Sequence, residues 1–218
     1  MNRLIFFLHK RLAPLFPNRC PFCTKVIYRE QTICDSCAIR VPQYTVRRFA
    51  AGGAPCAAAL PYKDEYAEAV KRFKFKRYAF YAPAFVEVMT EAAVRVYSPD
   101  AYDCVCCVPM HPKDLKDRGF NQSELLARGF AERLGLTYVE AIEKIKRNKK
   151  QHTLKRSERA GNVRGVYRVI DKNAIKNKRI LLIDDIITTG NTLGECASVL
   201  KRHGCRSVSC AVLCTTLV

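Results

Sequence analysis

The chain alternates short, unbroken apolar runs with longer stretches whose apolar residues recur at helical spacing. Ile180–Ile183 is a continuous apolar run with two β-branched residues, the pattern of a strand buried on both faces. Asp103–Pro109 and Val208–Leu213 read as further buried strands, Ala141–Ile145 as a shorter one, and Ala57–Tyr62 as an edge strand. Between them, Tyr66, Val70 and Phe73 mark a helix over Asp64–Arg77, and Phe85, Val88, Met89, Ala92 and Val96 mark another over Pro83–Tyr97. A third helix follows Arg118–Ser123 on Leu125, Leu126, Phe130 and Leu134, and a fourth carries Leu193, Ala197 and Leu200 with Gly204 at its end. Strands and helices alternating at about 30-residue spacing predict a parallel α/β sheet with helices on both faces. Val41–Gly53, with Pro42, Arg47, Arg48 and Gly52-Gly53, reads as a linker, which divides the chain into a small module over 1–50 and a larger domain over 51–218. Ahead of the module, Leu4, Ile5, Leu8, Leu12 and Leu15 fit a basic amphipathic helix, either packed on the module or touching a membrane surface.

Composition changes this picture in two ways. The 218 residues carry 38 Lys and Arg against 20 Asp and Glu, a net charge of +18 that attracts phosphates, nucleic acid or other anionic partners. Twelve cysteines would fit a disulfide framework only in an oxidising compartment. The apolar run Leu4–Leu8 is too short for a secretory signal and is followed at once by His9-Lys10-Arg11. No run approaches the roughly 18 apolar residues of a membrane helix, so a cytoplasmic protein without a membrane span is expected. In a reducing cytosol, clustered cysteines mean metal and scattered ones mean core. Cys20-Pro-Phe-Cys23 and Cys34-Asp-Ser-Cys37 are two Cys-x-x-Cys knuckles able to hold Zn²⁺ tetrahedrally in a closed, structural zinc ribbon. Such a short segment has little core of its own, and metal binding would supply its folding free energy. Cys104, Cys106 and Cys107 alternate with valine as core residues do.

The chemistry concentrates after Ile183. Asp184 and Asp185 stand at the carboxyl end of the predicted strand, where a parallel sheet presents ligands to its crevice. Thr188-Thr-Gly-Asn-Thr192 then feeds a helix N-terminus, whose unpaired N–H groups and dipole favour phosphate. The Walker and dinucleotide glycine patterns are both absent, which argues against a P-loop NTPase or a dinucleotide fold. Ile183–Thr192 closely resembles the phosphoribosyl pyrophosphate (PRPP) loop of type I phosphoribosyltransferases. That resemblance implies a PRPP site in which Asp184 and Asp185 face the ribose hydroxyls while Ile187, Thr188, Thr189, Gly190, Asn191 and Thr192 form the phosphate loop. It also places the pyrophosphate on backbone amides of the turn after an earlier strand, here Pro109, Met110 and His111. His111 suits a proton donor, a phosphate contact or a cap.

Two basic stretches remain. Lys71-Arg-Phe-Lys-Phe-Lys-Arg-Tyr78 interleaves cations with aromatics, so Lys71, Arg72, Lys74 and Lys76 are nucleic-acid candidates; a solvated helix end with its aromatics in the core fits the same pattern. Gln151–Arg168 is polar and cationic, either a flexible lid or a solvated loop, with Gln151, Arg159 and Asn162 as its candidate residues.

Taken in order, the paired knuckles, Val108-Pro109, Arg118-Gly-Phe-Asn-Gln122, Gln151-x-x-Leu154, Arg159-x-x-Asn162-Val163, Gly165 and the Ile183–Thr192 loop resemble the ComF family from Leu15 onward. Tyr167 stands where that family more often has Phe. The resemblance implies a type I phosphoribosyltransferase-like sheet behind a zinc ribbon, Mg²⁺ arriving with PRPP, and a cytoplasmic role in DNA uptake during natural transformation. Single-stranded DNA and a ComFA-like helicase would be its partners. In a transferase, Asp184 and Asp185 would be the catalytic carboxylates, opposing positive charge that develops at the anomeric carbon. In a non-catalytic adaptor, the same site would serve as a ligand sensor. Nothing in the sequence names an acceptor.

Overall fold

A computed structural model describes residues 17–42, 45–147 and 165–216. The chain divides into two compact units, Met1–Val41 and Pro42–Val218. In the smaller unit an isolated antiparallel bridge joins Arg19 to Val26, and a single helical turn, α1, spans Asp35–Ala38. Each contains one knuckle or flanks it.

The larger unit is built on a six-stranded sheet. Its strands are β1 (Val46–Phe49), β2 (Pro55–Pro61), β3 (Cys104–Cys107), β4 (Thr137–Tyr138), β7 (Arg179–Ile187) and β8 (Ser207–Thr215), in the order β1-β2-β8-β7-β3-β4. All neighbours run parallel except β1, which pairs antiparallel with β2. A separate two-stranded hairpin joins β5 (Ile142–Lys144) to β6 (Tyr167–Val169). Helices α2 (Asp64–Phe75), α3 (Ala82–Val94), α4 (Pro112–Arg118), α5 (Gln122–Leu134) and α6 (Asn191–Arg202) connect the strands.

Two faces of the sheet are covered, as parallel strands require. Ile180 and Leu182 of β7, with Val208, Cys210 and Val212 of β8, pack against Leu193, Cys196, Ala197 and Leu200 of α6 and against Ile142, Tyr167 and Val169 of the hairpin. Leu181 looks the other way, toward Ala93 and Val94 of α3 and Phe130 and Leu134 of α5. Each fully buried Leu, Ile or Phe contributes about 1.5–3 kcal/mol relative to exposure, which is why these runs cannot sit elsewhere.

Three sequence expectations shift. Residues 42–50, read as linker and grouped with the small module, belong to the larger unit: Val46–Phe49 is a strand, and its hairpin turn closes through Ala50 N donating to Ala54 O at 2.8 Å, with Gly52 and Gly53 at positive φ. Ala57–Tyr62 is consequently not an edge, since β1 covers one side of β2 and β8 the other. And β7 runs on through Asp184 and Asp185 to Ile187, with Asp184 opposite Val212 and Ile187 opposite Thr215. The acid pair lies inside the strand.

Strand order positions the site. From β3 the chain crosses to β4 on one side, whereas from β7 it crosses to β8 on the other, so the order reverses between β3 and β7. Ligands of open α/β sheets bind at the carboxyl ends of the strands flanking such a reversal. A bidentate ion pair sets the opposite end: Arg179 Nη2 and Nε donate to Asp103 at 2.8 and 3.2 Å, which holds the Asp103 carboxyl well below the usual carboxylate range.

Candidate functional site

The two carboxylates at the reversal point take different partners. Asp184 Oδ1 accepts from Ser123 Oγ at 2.7 Å and from the Asp185 backbone N–H at 2.9 Å. Burial, together with the neighbouring Asp185 carboxylate, pushes Asp184 up to about 7, against the opposing pull of the Ser123 hydrogen bond and the Lys74 charge. Asp185 Oδ2 lies 2.7 Å from the Lys74 ammonium as an ion pair, yet among the described residues that buried oxygen receives no directed hydrogen bond.

Beyond β7, Thr188, Thr189, Asn191 and Thr192 are half-buried around the N-terminus of α6, and among the described residues no side chain caps that helix. Its first N–H groups therefore face the loop as an anion cradle. Gly190 takes the left-handed conformation at φ 75° as N-cap. The cradle is braced from behind, because Ala51 N donates to Gly190 O at 3.1 Å and Gly194 lies so close that a Cβ there would stand 2.2 Å from Ala51 O. The Ile187 side chain belongs to the core, and its carbonyl accepts from Thr216 N at 3.2 Å.

Across the crevice, Pro109, Met110 and His111 are half-buried in the turn after β3. His111 caps α4: its Nδ1 accepts from Lys113 N at 3.2 Å, which leaves Nε2 for other contacts. The Arg118–Gln122 block ties this turn to the acid pair. Asn121 Nδ2 donates to Val108 O at 3.2 Å while Asn121 Oδ1 accepts from Ser123 N at 3.1 Å, capping α5. Arg118 Nη1 donates to Gln122 Oε1 at 2.7 Å. Ser123 and Asn121 were not singled out from the sequence as site residues. An Asn two residues before Ser at a helix start signals a cap, but the bond to Asp184 joins residues 61 positions apart.

The nucleic-acid candidates separate. Lys71 and Lys76 are exposed, and Lys71 pairs with Glu68 at 2.7 Å. Arg72 is half-buried. Lys74 departs from the expectation of a solvent-facing cation, because it points into the acid pair with 17% of its side chain exposed. Phe75 and Phe80 are exposed beside these cations, whereas Phe73 is buried. Gln151, Arg159 and Asn162 lie outside the described residues, as does the amphipathic stretch Leu4–Leu15.

In the smaller unit the sulfurs of Cys20, Cys23, Cys34 and Cys37 all lie within 4.8 Å of one another, with Cys23 and Cys34 at 3.5 Å. Four thiolates about 2.3 Å from one ion would span such distances, so the donor set fits a tetrahedral metal. Arg40 Nη2 donates to Cys37 Sγ at 3.0 Å. Among the described residues no helix is long and apolar enough to cross a membrane.

Comparison with known proteins agrees with this geometry. The phosphoribosyl transferase domain family matches residues 115–217, a stretch that holds Ser123, the acid pair, the loop and α6. DNA utilization protein YhgH of Salmonella typhimurium is 25% identical over 215 residues, covering 91% of this chain and 90% of its own. Competence protein ComFC of Streptococcus pneumoniae is 28% identical over 191 residues (88% and 78%), and competence protein F of Haemophilus influenzae 26% over 144 (64% and 63%). The sheet with its reversal point, the acid pair in β7 and the four-cysteine cluster, together with these relatives and the phosphoribosyl transferase domain match, support a ComF family member.

Proposed function

We propose that this protein binds PRPP through its phosphoribosyltransferase-like domain and serves DNA uptake, in the cytoplasm, with zinc as a structural ion in the cysteine cluster. The observation that carries the PRPP reading is the convergence at one strand reversal of the β3 turn, the buried acid pair and the uncapped N-terminus of α6. Each part suits one portion of the ligand. The α6 amides and the Thr188, Thr189 and Thr192 hydroxyls take the 5′-phosphate. Asp184 and Asp185 accept from the ribose hydroxyls, and the amides of Pro109–His111, less proline's missing one, face the pyrophosphate. Mg²⁺ arriving with the ligand neutralises pyrophosphate charge while keeping several waters. Should transfer follow, the carboxylates lie where they oppose positive charge on the ribose ring, so the chain's share is orientation and preorganised electrostatics.

The role in DNA uptake is supported by the competence relatives, by the net charge of +18 and by the exposed Lys71, Phe75, Lys76 and Phe80, which suit single-stranded DNA. A ComFA-like helicase is the partner this role implies. The test has two arms. Isothermal titration with PRPP and Mg²⁺ should give saturable binding that Asp184→Asn with Asp185→Asn abolishes; retained binding in that variant refutes the site. Expression in a Streptococcus pneumoniae strain lacking its own ComFC should restore transformation, and failure of the well-expressed chain to do so counts against the uptake role.

A further inference from the structure

Lys74 lies in the last turn of α2, an element outside the matched domain stretch of 115–217. Its ammonium contacts Asp185 Oδ2 at 2.7 Å, and the two side chains are only 17% and 5% exposed. The rest of the helix end is stapled in place. Phe73 is fully buried, its ring 5.2 Å from Phe85 and 5.6 Å from Phe120. Arg77 Nη2 donates to Asp117 O at 2.8 Å, and the Arg118 guanidinium covers the Phe75 ring at 5.5 Å. Three of these four contacts go to residues 117–120, at the end of α4 and its C-cap. Lys74 is therefore held at the acid pair by a helix end anchored on the segment that follows the β3 turn.

A poorly hydrated ammonium on a poorly hydrated carboxylate is stable only while each keeps the other or an equivalent partner. A ribose diol that hydrogen-bonds Asp185 competes for the oxygen Lys74 holds. Resting on the PRPP reading above, we propose that Lys74 is an exchangeable counter-ion: it holds Asp185 while the site is free of ligand and passes to the pyrophosphate oxygens when the ribose hydroxyls take the carboxylate. The exchange gives the site a preference among sugar phosphates. PRPP displaces the ammonium and supplies an anion to replace its partner. Ribose 5-phosphate displaces it and leaves a buried charge unpaired, which is unfavourable. Lys74 thus acts as a specificity residue for the 1-pyrophosphate group, supplied by a helix outside the matched domain.

The experiment is isothermal titration of the full chain with PRPP and, separately, ribose 5-phosphate, each with Mg²⁺, for the wild type, Lys74→Met and Lys74→Arg. Loss of a charge-assisted contact predicts that Lys74→Met weakens PRPP at least about tenfold, while ribose 5-phosphate, which no longer strands a buried charge, binds as well as to the wild type or better. The affinity ratio of the two ligands therefore collapses in Lys74→Met and is partly kept in Lys74→Arg. Should Lys74→Met not fold, Lys74→Gln, which retains a donor for Asp185, carries the same comparison. An unchanged ratio overturns the exchange, whether both affinities hold or both fall by one factor. A wild type that binds no PRPP overturns the underlying site reading instead.

Discussion

Gly194→Ala tests the bracing of the loop proposed to hold phosphate. A Cβ at Gly194 would lie 2.2 Å from Ala51 O, 2.8 Å from Ala51 C and 2.8 Å from Ala51 Cβ. Ordinary contact needs about 3.5 Å, so the first turn of α6 and the β1–β2 turn must separate by roughly 1 Å. Overpacking of this kind costs about 1–3 kcal/mol. Alanine recovers up to about 1 kcal/mol as a better helix former than glycine. The net loss, up to about 3 kcal/mol, lowers the melting temperature by up to about 12 °C for a chain of this size. Binding suffers more than stability, because a shift of about 1 Å in a positioning loop is worth about a hundredfold. Thermal melts and PRPP titration measure both. Two further variants sharpen the result. Gly129→Ala places a Cβ 2.8 Å from Cγ2 of Val86, a buried β-branched residue, so it should lower the melt while PRPP affinity stays close to wild type. Ala51→Gly should not rescue Gly194→Ala, since the nearest clashing atoms are backbone. Wild-type melting and wild-type PRPP affinity in Gly194→Ala would refute the close approach.

Asp184→Asn should change how stability depends on pH. The carboxyl is raised in the folded chain to about 7 from an unfolded value of about 3.9, so the native state binds the extra proton between those values. Its stabilising share is complete below about pH 4 and lost as pH rises through about 7, so the ligand-free variant should gain on the wild type by up to about 4 kcal/mol between pH 4 and 8. A melting difference that is flat with pH contradicts this. Asn121→Ala removes the α5 cap and the bond to Val108 O at 3.2 Å, and should cost about 1–3 kcal/mol in denaturant melts; an unshifted midpoint would show that the clamp is idle. Metal analysis of the purified chain should find about one equivalent of zinc, lost in Cys23→Ser with Cys34→Ser together with protection of residues 17–41 from protease. A zinc-free wild type with the same protection contradicts the structural-ion reading.

Buried parallel strands were legible because both faces carry apolar residues, and β3, β7 and β8 read as unbroken runs. The strand–loop–helix after Ile183 was legible for a different reason: every part of it lies within a few residues. β1 was not, since Val46-Arg-Arg-Phe49 is an edge strand with Phe49 68% exposed, and the flanking Pro42 and Gly52-Gly53 resemble linker punctuation. The end of β7 was misplaced because two adjacent acids look like the end of a strand, whereas Ser123 and Lys74 satisfy them within it. Lys74 itself carried a signal. It follows Val70 by four residues, on the same helix face as Tyr66, Val70 and Phe73, and a charge on a buried stripe needs a partner. Which partner depended on β7 lying beside β3, and that pairing spans too much chain for local patterns to report.

The most direct test of the PRPP site is a crystal structure of the full chain soaked with PRPP and Mg²⁺. Density for the 5′-phosphate at the N-terminus of α6, the ribose hydroxyls on Asp184 and Asp185, and the pyrophosphate at Pro109–His111 is the expected result. An empty crevice at saturating ligand, or a ligand seated away from the reversal between β3 and β7, would contradict it.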